Sequence, residues 1–393
     1  MMSNQARRLL RADRGQRVSN TELFFDLVFI LAFTRLTRAM LQNLSAAGIL
    51  RMLLLFTAVW WVWTVTAWST DWFDPEQPYV RGLLIWVMFG SLLLAAAVPQ
   101  AFGADAPVFA VTYVVIHLGR GAGLVYGLRG NPAQVRSGRV AIWFTATGVL
   151  WIFGALTPAV REGLWTVAIV IDATVGLIGY PVPGLGRSTQ EQLRIDGEHL
   201  SERQVQLFIV AIGELILTSG LSFGSAGFDK VHTVSFVLAF VNALALTQLR
   251  FLPAEHRIGP AIDRSRSPGR TALGTSYIQL ILLAGVLTTA SGNELIIGEQ
   301  SGPIRQAAAV ALVGGTALFL ISRILMPVVT RHVVPWVHLA GLIALIAVVP
   351  ATATLPPYSA TAGVDLILIA IITVDVVLQR RGARQVAGER PGR

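Results

Sequence analysis

Apolar stretches of about twenty residues recur along the whole chain, and this recurrence limits the possible folds more than any motif does. An α-helix rises about 1.5 Å per residue, so roughly 20 apolar residues cross the ~30 Å hydrocarbon core of a bilayer. Twelve such stretches are read, at 22–41, 46–68, 79–99, 107–127, 137–156, 160–179, 204–222, 230–249, 271–290, 306–325, 333–350 and 363–379. Lipid offers the backbone no hydrogen-bond partner, so each stretch must satisfy its own peptide groups as a helix. The expected fold is therefore all-α, a polytopic transmembrane bundle of about twelve helices. With 54% hydrophobic and only 13% charged residues in 393, the chain is too apolar for a soluble protein of that length. The longest connections, about 181–203 and 250–270, leave no room for a separate soluble domain, so function must lie among the helices.

Basic residues orient such a bundle, because cytoplasmic connections are enriched in Lys and Arg. With the N-terminus inside, 24 of the 31 Lys and Arg fall on the cytoplasmic side. Five (Arg38, Arg51, Arg161, Lys230, Arg305) fall outside, and Arg35 and Arg120 lie within spans. An incorrect span count would scramble this alternation. The expectation is a multi-pass cell-membrane protein with both termini cytoplasmic: a basic tail 1–21, a first six-helix half 22–180, a cytoplasmic connector 181–203, a second half 204–379 and a basic tail 380–393. Two six-helix halves of the same orientation would suit a parallel repeat, although aligning FFDLVF with IGELIL matches little beyond an acid among apolar residues. The basic N-terminus followed by an apolar run superficially resembles a secretory signal, but the run is long, carries acids and lacks a small-residue cleavage site. The net charge of +9 is dispersed through the connections and does not form a nucleic-acid surface. The absence of Cys excludes disulfides and thiolate metal sites.

Ionisable residues at membrane depth carry the remaining information, since each is expensive unless water or an opposite charge meets it. Glu22 follows Ser19 by three residues, and S-x-x-E before an apolar run is a capping box. Asp26 lies one turn deeper on the same face, so it should meet protein or water. His117 and Arg120 share a face with Tyr113, and Gly119, Gly121 and Gly123 would admit a close neighbour. Asp172 and Glu214 sit near the centres of adjacent spans, with Arg120 the natural counter-ion. Asp26, His117, Arg120, Asp172 and Glu214 are thus candidates for a hydrated path or for a buried ion-pair network. At the inner face, Asp71, Asp74 and Glu76 precede Arg81, and His199, Glu202 and Arg203 precede the seventh span. Glu22 or Asp26 is expected to pair with Arg81 or Arg203. The Trp residues at 60, 61, 63, 68 and 72 read as packing or interface anchors.

Three stretches carry a family resemblance: ELFFDLVFILAFTRLT (22–37), STDWFDPEQPYVRGLLIWVMFGSLLLAAAVPQAFG (69–103) after a Trp-rich second span, and HLSERQVQLFIVAIGEL (199–215). In these, over nearly its whole length, the chain resembles the bacterial low temperature requirement A family. The resemblance implies a polytopic membrane protein linked by its family name to growth in the cold. It draws attention to Glu22, Phe25, Asp26, Asp74, Arg81, Pro99, His199, Glu202, Arg203 and Glu214. The chain departs from the pattern at ALTQLRF (245–251) and at Gln279, where a His is usual. Residues 24–34, FFD-x-VF-x-x-A-x-T, are also similar to the first-helix Phe-Ser-Asp signature of endolysosomal potassium channels, with Phe25 in place of the serine. That similarity implies a pore around the first helix, with Asp26 near the cytoplasmic entrance and Ile30 or Phe33 as a constriction.

The expected activity is movement of a small solute or ion, with the lipid bilayer and that solute as partners, no cofactor and no metal. A homo-oligomer stays open. The alternatives are a non-transporting scaffold or sensor, and an intramembrane lipid-modifying enzyme using His117 with Asp172 or Glu214. No HExxH or P-loop supports catalysis, so an enzyme is not expected.

Overall fold

The computed structural model describes residues 9–10, 18–43, 45–189, 191–251, 258–298, 304–348, 350 and 357–388. Most of the N-terminal tail, with Arg11, Arg14 and Arg17, lies outside them, as do Arg257, Arg390 and Arg393. The described residues hold helices and connections with no strand, apart from isolated bridges Leu10–Phe73 and Val182–Gly186. The all-helical expectation is met.

The helices are α1 (Asn20–Gln42), α2 (Ala46–Trp72), α3 (Pro78–Ala97), α4 (Ala106–Gly127), α5 (Ala133–Leu156) and α6 (Arg161–Val175). They continue as α7 (Gly197–Ala226), α8 (Lys230–Phe251), the short α9 (Ile258–Asp263), α10 (Pro268–Gly298), α11 (Ile304–Arg331), α12 (Trp336–Val348) and α13 (Pro357–Gly388). Short 3₁₀ turns extend α3 to Gln100 and α6 to Ile178. A helix stands at each of the twelve apolar stretches. Nine helices among the described residues are long and apolar enough to cross a membrane. The others are α1, which carries Asp26, Arg35 and Arg38, and the shorter α6 and α12.

Local chemistry explains several ends. Ser19 and Glu22 form the capping box of α1, with the Ser19 amide donating to Glu22 Oε2 at 2.9 Å and the Glu22 amide to Ser19 Oγ at 3.3 Å. Ser45 caps α2 by accepting from the Gly48 amide at 3.1 Å. Pro78 opens α3, where a missing N–H leaves no bond unmade.

The chain forms two compact units, Met1–Ala211 with Arg257–Leu280, and Ile212–His256 with Ile281–Arg393. In the first, α1 packs on α3, α4 on α3 and α5, and α6 on α5 and α2. Its core is aromatic: Trp60, Trp61, Trp63, Trp151 and Trp165 are fully buried, and Tyr277 stacks on Trp61 with centroids 6.3 Å apart. In the second unit, α8 packs on α13, and α12 on α11 and α13. Gly285, Gly292 and Gly315 bring the backbones of α10 and α11 together, since a Cβ on Gly315 would stand 2.4 Å from the Thr289 amide nitrogen.

Candidate functional site

The period of 3.6 places Glu22 and Asp26 on one stripe of α1, and His199 and Arg203 on one stripe of α7. In the first unit these stripes face each other. Arg203 grips Asp26 with both ends of its guanidinium, Nη2 to Oδ1 at 2.8 Å and Nη1 to Oδ2 at 2.9 Å. Trp63 on α2 adds its indole N–H to Oδ1 at 2.7 Å. One turn away, His199 Nε2 lies 3.1 Å from Glu22 Oε1 while its Nδ1 lies 3.3 Å from Asp71 Oδ1. An imidazole between two carboxylates can donate to both only as the imidazolium. Arg203 also donates to the Glu22 carbonyl at 2.9 Å and lies over the rings of Phe25 and Trp63. Asp26 and Arg203 are at most 1% exposed. A bidentate, charge-assisted pair is the geometry that best offsets the desolvation of two such groups.

Of the two cations expected to meet these acids, Arg203 does so. Arg81 is surface-exposed and pairs with Glu76 at 2.6 Å. Asp74 caps the short turn before α3 by accepting from the Glu76 amide at 2.9 Å. Glu202 is exposed, whereas its neighbour Arg203 is buried. Trp63 and Asp71, which complete the cluster, were legible only as a packing Trp and an acidic connection. Their one hint was a spacing of eight residues, two turns on one face of α2.

A second polar group lies among α2, α4, α5 and α6. Asp172 accepts from Tyr113 Oη at 3.1 Å and from Thr147 Oγ1 at 2.8 Å. Arg120 donates to His117 Nδ1 at 2.8 Å and to Thr66 Oγ1 at 2.7 Å, and Thr66 passes its own proton to the Val62 carbonyl. Because a guanidinium only donates, His117 Nδ1 must accept, which leaves the ring proton on Nε2. That nitrogen is buried without a hydrogen-bond partner among the described residues. The ring stacks on Phe144 with centroids 3.9 Å apart. Among the described residues no ion pair joins Arg120 to Asp172, so the expected counter-ion role is corrected. Arg120 reaches across to α2, while Asp172 is met by hydroxyls of α4 and α5. Glu214 is buried in the second unit, where its carbonyl accepts from Thr218.

Beside His117 and Arg120 the first unit contains a cavity of about 60 Å³, lined also by Trp68, Trp72, Arg136 and Tyr180. The connection that follows α6 closes it, Leu193 and Ile195 contributing to its wall. That connection is tied to neighbouring helices at five points. Trp143 donates to the Pro181 carbonyl at 3.0 Å, Arg139 to the Leu185 carbonyl at 3.0 Å and Arg136 to the Gln192 carbonyl at 2.7 Å. Trp72 donates to the Arg194 carbonyl at 2.9 Å, and the Asp196 amide to Asp71 at 3.0 Å. Its first turn needs glycine: Gly179 has φ +80°, and a Cβ there would stand 2.6 Å from the Ser188 carbonyl oxygen. Gly179→Ala should loosen the connection by about 1–3 kcal/mol, seen as faster amide hydrogen exchange confined to 180–195; unchanged exchange there would refute the turn's role.

Comparison with known proteins follows the same lines. Residues 17–373 match the profile of the family described as bacterial low temperature requirement A protein (LtrA). The chain is 32% identical over 386 residues to an uncharacterised protein of Rhizobium meliloti (strain 1021), covering 94% of this chain and 92% of that one. No solved structure matches. The match spans the capping box of α1, the buried charge cluster and the cavity alike, and the chain belongs to the bacterial low temperature requirement A family.

Proposed function

We propose that this membrane protein is a conduit for a small solute or ion, with twelve membrane-crossing helices, both termini in the cytoplasm and the cell membrane as its site. The observation that carries this reading is the cavity lined by His117 and Arg120 inside a unit of apolar helices. About 10–15 Å³ admits one water molecule, so 60 Å³ lined by the buried Arg120 and by His117 is hydratable space. Such space within a bilayer supports passage, not packing. His117, Arg120 and Asp172 are assigned to the path in the first unit; Glu214, a buried acid of the second unit, is proposed as a path residue there. Catalysis is not part of this reading.

A second reading, a non-transporting scaffold or sensor tied to growth in the cold, is favoured by the other cluster. There Asp26, Glu22 and Asp71 each meet protein donors, the arrangement of groups that hold helix register. We assign Asp26 to that latch and not to the path. Proteoliposomes loaded with a pH dye, potassium or labelled benzoate separate the readings. A conduit shows flux of at least one, lowered tenfold or more by Arg120→Gln and unaffected by Arg51→Gln at the exposed Arg51–Glu162 pair. Folded protein that passes none of the three is a scaffold.

A further inference from the structure

Two arginines line the cavity of the first unit, and neither is matched by a carboxylate. Arg120 spends its donors on Thr66 and His117. Arg136 donates to the Gln192 carbonyl and lies over Trp72, its guanidinium carbon 3.7 Å from the ring centroid. Among the described residues no ion pair includes either one. Asp71 is close enough to Arg136 to act on it electrostatically, but its oxygens are engaged by His199 and the Asp196 amide. Both arginines are buried, at 4% and 8% exposure. A buried charge without an ion pair is strongly unfavourable, and here two lie on one cavity, Arg136 with only the engaged Asp71 near it and Arg120 with no carboxylate bonded to it.

The rest of the lining sets the shape of what could answer them. Ser69, Ser137 and Tyr180 add hydroxyls, whereas Val65, Trp68, Leu124, Phe144 and Leu273 make most of the wall apolar. The free space, about 60 Å³, admits several water molecules at the roughly 10–15 Å³ each needs by the same measure. It suits a single carboxylate or phosphate head whose apolar body lies along the aromatic wall. Arginine meets such oxyanions through parallel N–H bonds, and an indole stacked on the guanidinium holds the fork in place.

We propose that this cavity binds the oxyanion head of an amphipathic molecule, with Arg120 and Arg136 as its counter-ions and the Trp68 and Phe144 side carrying the apolar body. This names the ligand class of the conduit proposed above and rests on that reading for its meaning in transport, whereas binding is measured apart from flux.

Benzoate and its neutral isostere benzamide are the probes, in equilibrium dialysis against the purified full chain in phosphatidylcholine nanodiscs. Benzoate should bind saturably, one per chain, with benzamide at least tenfold weaker. Arg120→Gln and Arg136→Gln should each weaken benzoate tenfold or more in protein that remains folded. Arg136 decides the matter if Arg120→Gln does not fold. Adding phosphatidylglycerol to the nanodiscs locates the source: competition puts the head on a lipid, and its absence puts it on a dissolved solute, and either upholds the site. Equal binding of the two probes, no binding of either, or wild-type affinity in folded Arg136→Gln overturns it. Flux without benzoate binding removes this proposal and leaves the conduit; binding without flux removes the conduit and leaves the site.

Discussion

Replacing Arg203 by glutamine is expected to destabilise the protein by about 3–5 kcal/mol, the usual consequence of stranding a buried carboxylate. Asp26 is 1% exposed, and without the guanidinium its only remaining donor of the three is the Trp63 indole. Asp26→Asn should do similar damage for the reciprocal reason, leaving a cation that is fully buried. Together, the two changes remove both charges and should cost clearly less than the sum of the single losses, with a coupling of about 1.5–3 kcal/mol. Equilibrium unfolding of the four proteins in detergent gives the cycle directly, and strictly additive losses would mean that the pair is not the latch it looks to be. The sign matters for function, since a strong coupling places Asp26 in the framework and concentrates the search for a path on His117, Arg120 and Asp172.

Neighbouring glycines in α11 provide the second large effect, with an internal control. A methyl group on Gly315 would stand 2.4 Å from the Thr289 nitrogen and 2.7 Å from the Gly285 oxygen, backbone atoms that cannot turn aside as a side chain can. Gly315→Ala should therefore force α10 and α11 apart and lose about 2–3 kcal/mol. Gly314 has nothing within 4 Å of the same position, so Gly314→Ala should be neutral or gain up to ~1 kcal/mol from helix propensity. Unfolding of the two variants side by side is the measurement. Equal effects would show that the close approach carries no stability.

Much of this arrangement could be read from residue order because it is local. Hydrophobic runs of sufficient length must be helices in lipid, and the helices stand where the runs do. Ser19 and Glu22 are three residues apart, so their capping box needs nothing beyond α1. The stripes Glu22–Asp26 and His199–Arg203 also follow from the period of the helix. Even the Asp26–Arg203 pair was among the four pairings considered, because a buried acid needs a cation and few cations lie at that depth.

What stayed hidden depends on how helices rotate against each other, which periodicity does not specify. Arg81 and Arg203 were equivalent as partners until packing buried one and left the other paired with Glu76 at the surface. Arg120 was assigned to an acid by charge, yet α2 presents Thr66 within its reach, and Asp172 instead meets two hydroxyls. Trp63 looked like its neighbours Trp60 and Trp61, and only its place opposite Asp26 makes it a hydrogen-bond donor to a carboxylate. The cavity could not be foreseen at all, being a space left between four helices and a connection, with Arg136, a residue of no notable motif, at its edge. Chain order alone thus determined the membrane class, the helices and the faces on which charges lie, because these follow from solvation and the 3.6-residue period. Tertiary packing alone decided which charges are paired and which face an open space, because contacts over 50 to 180 residues of sequence are set by the meeting of side-chain surfaces.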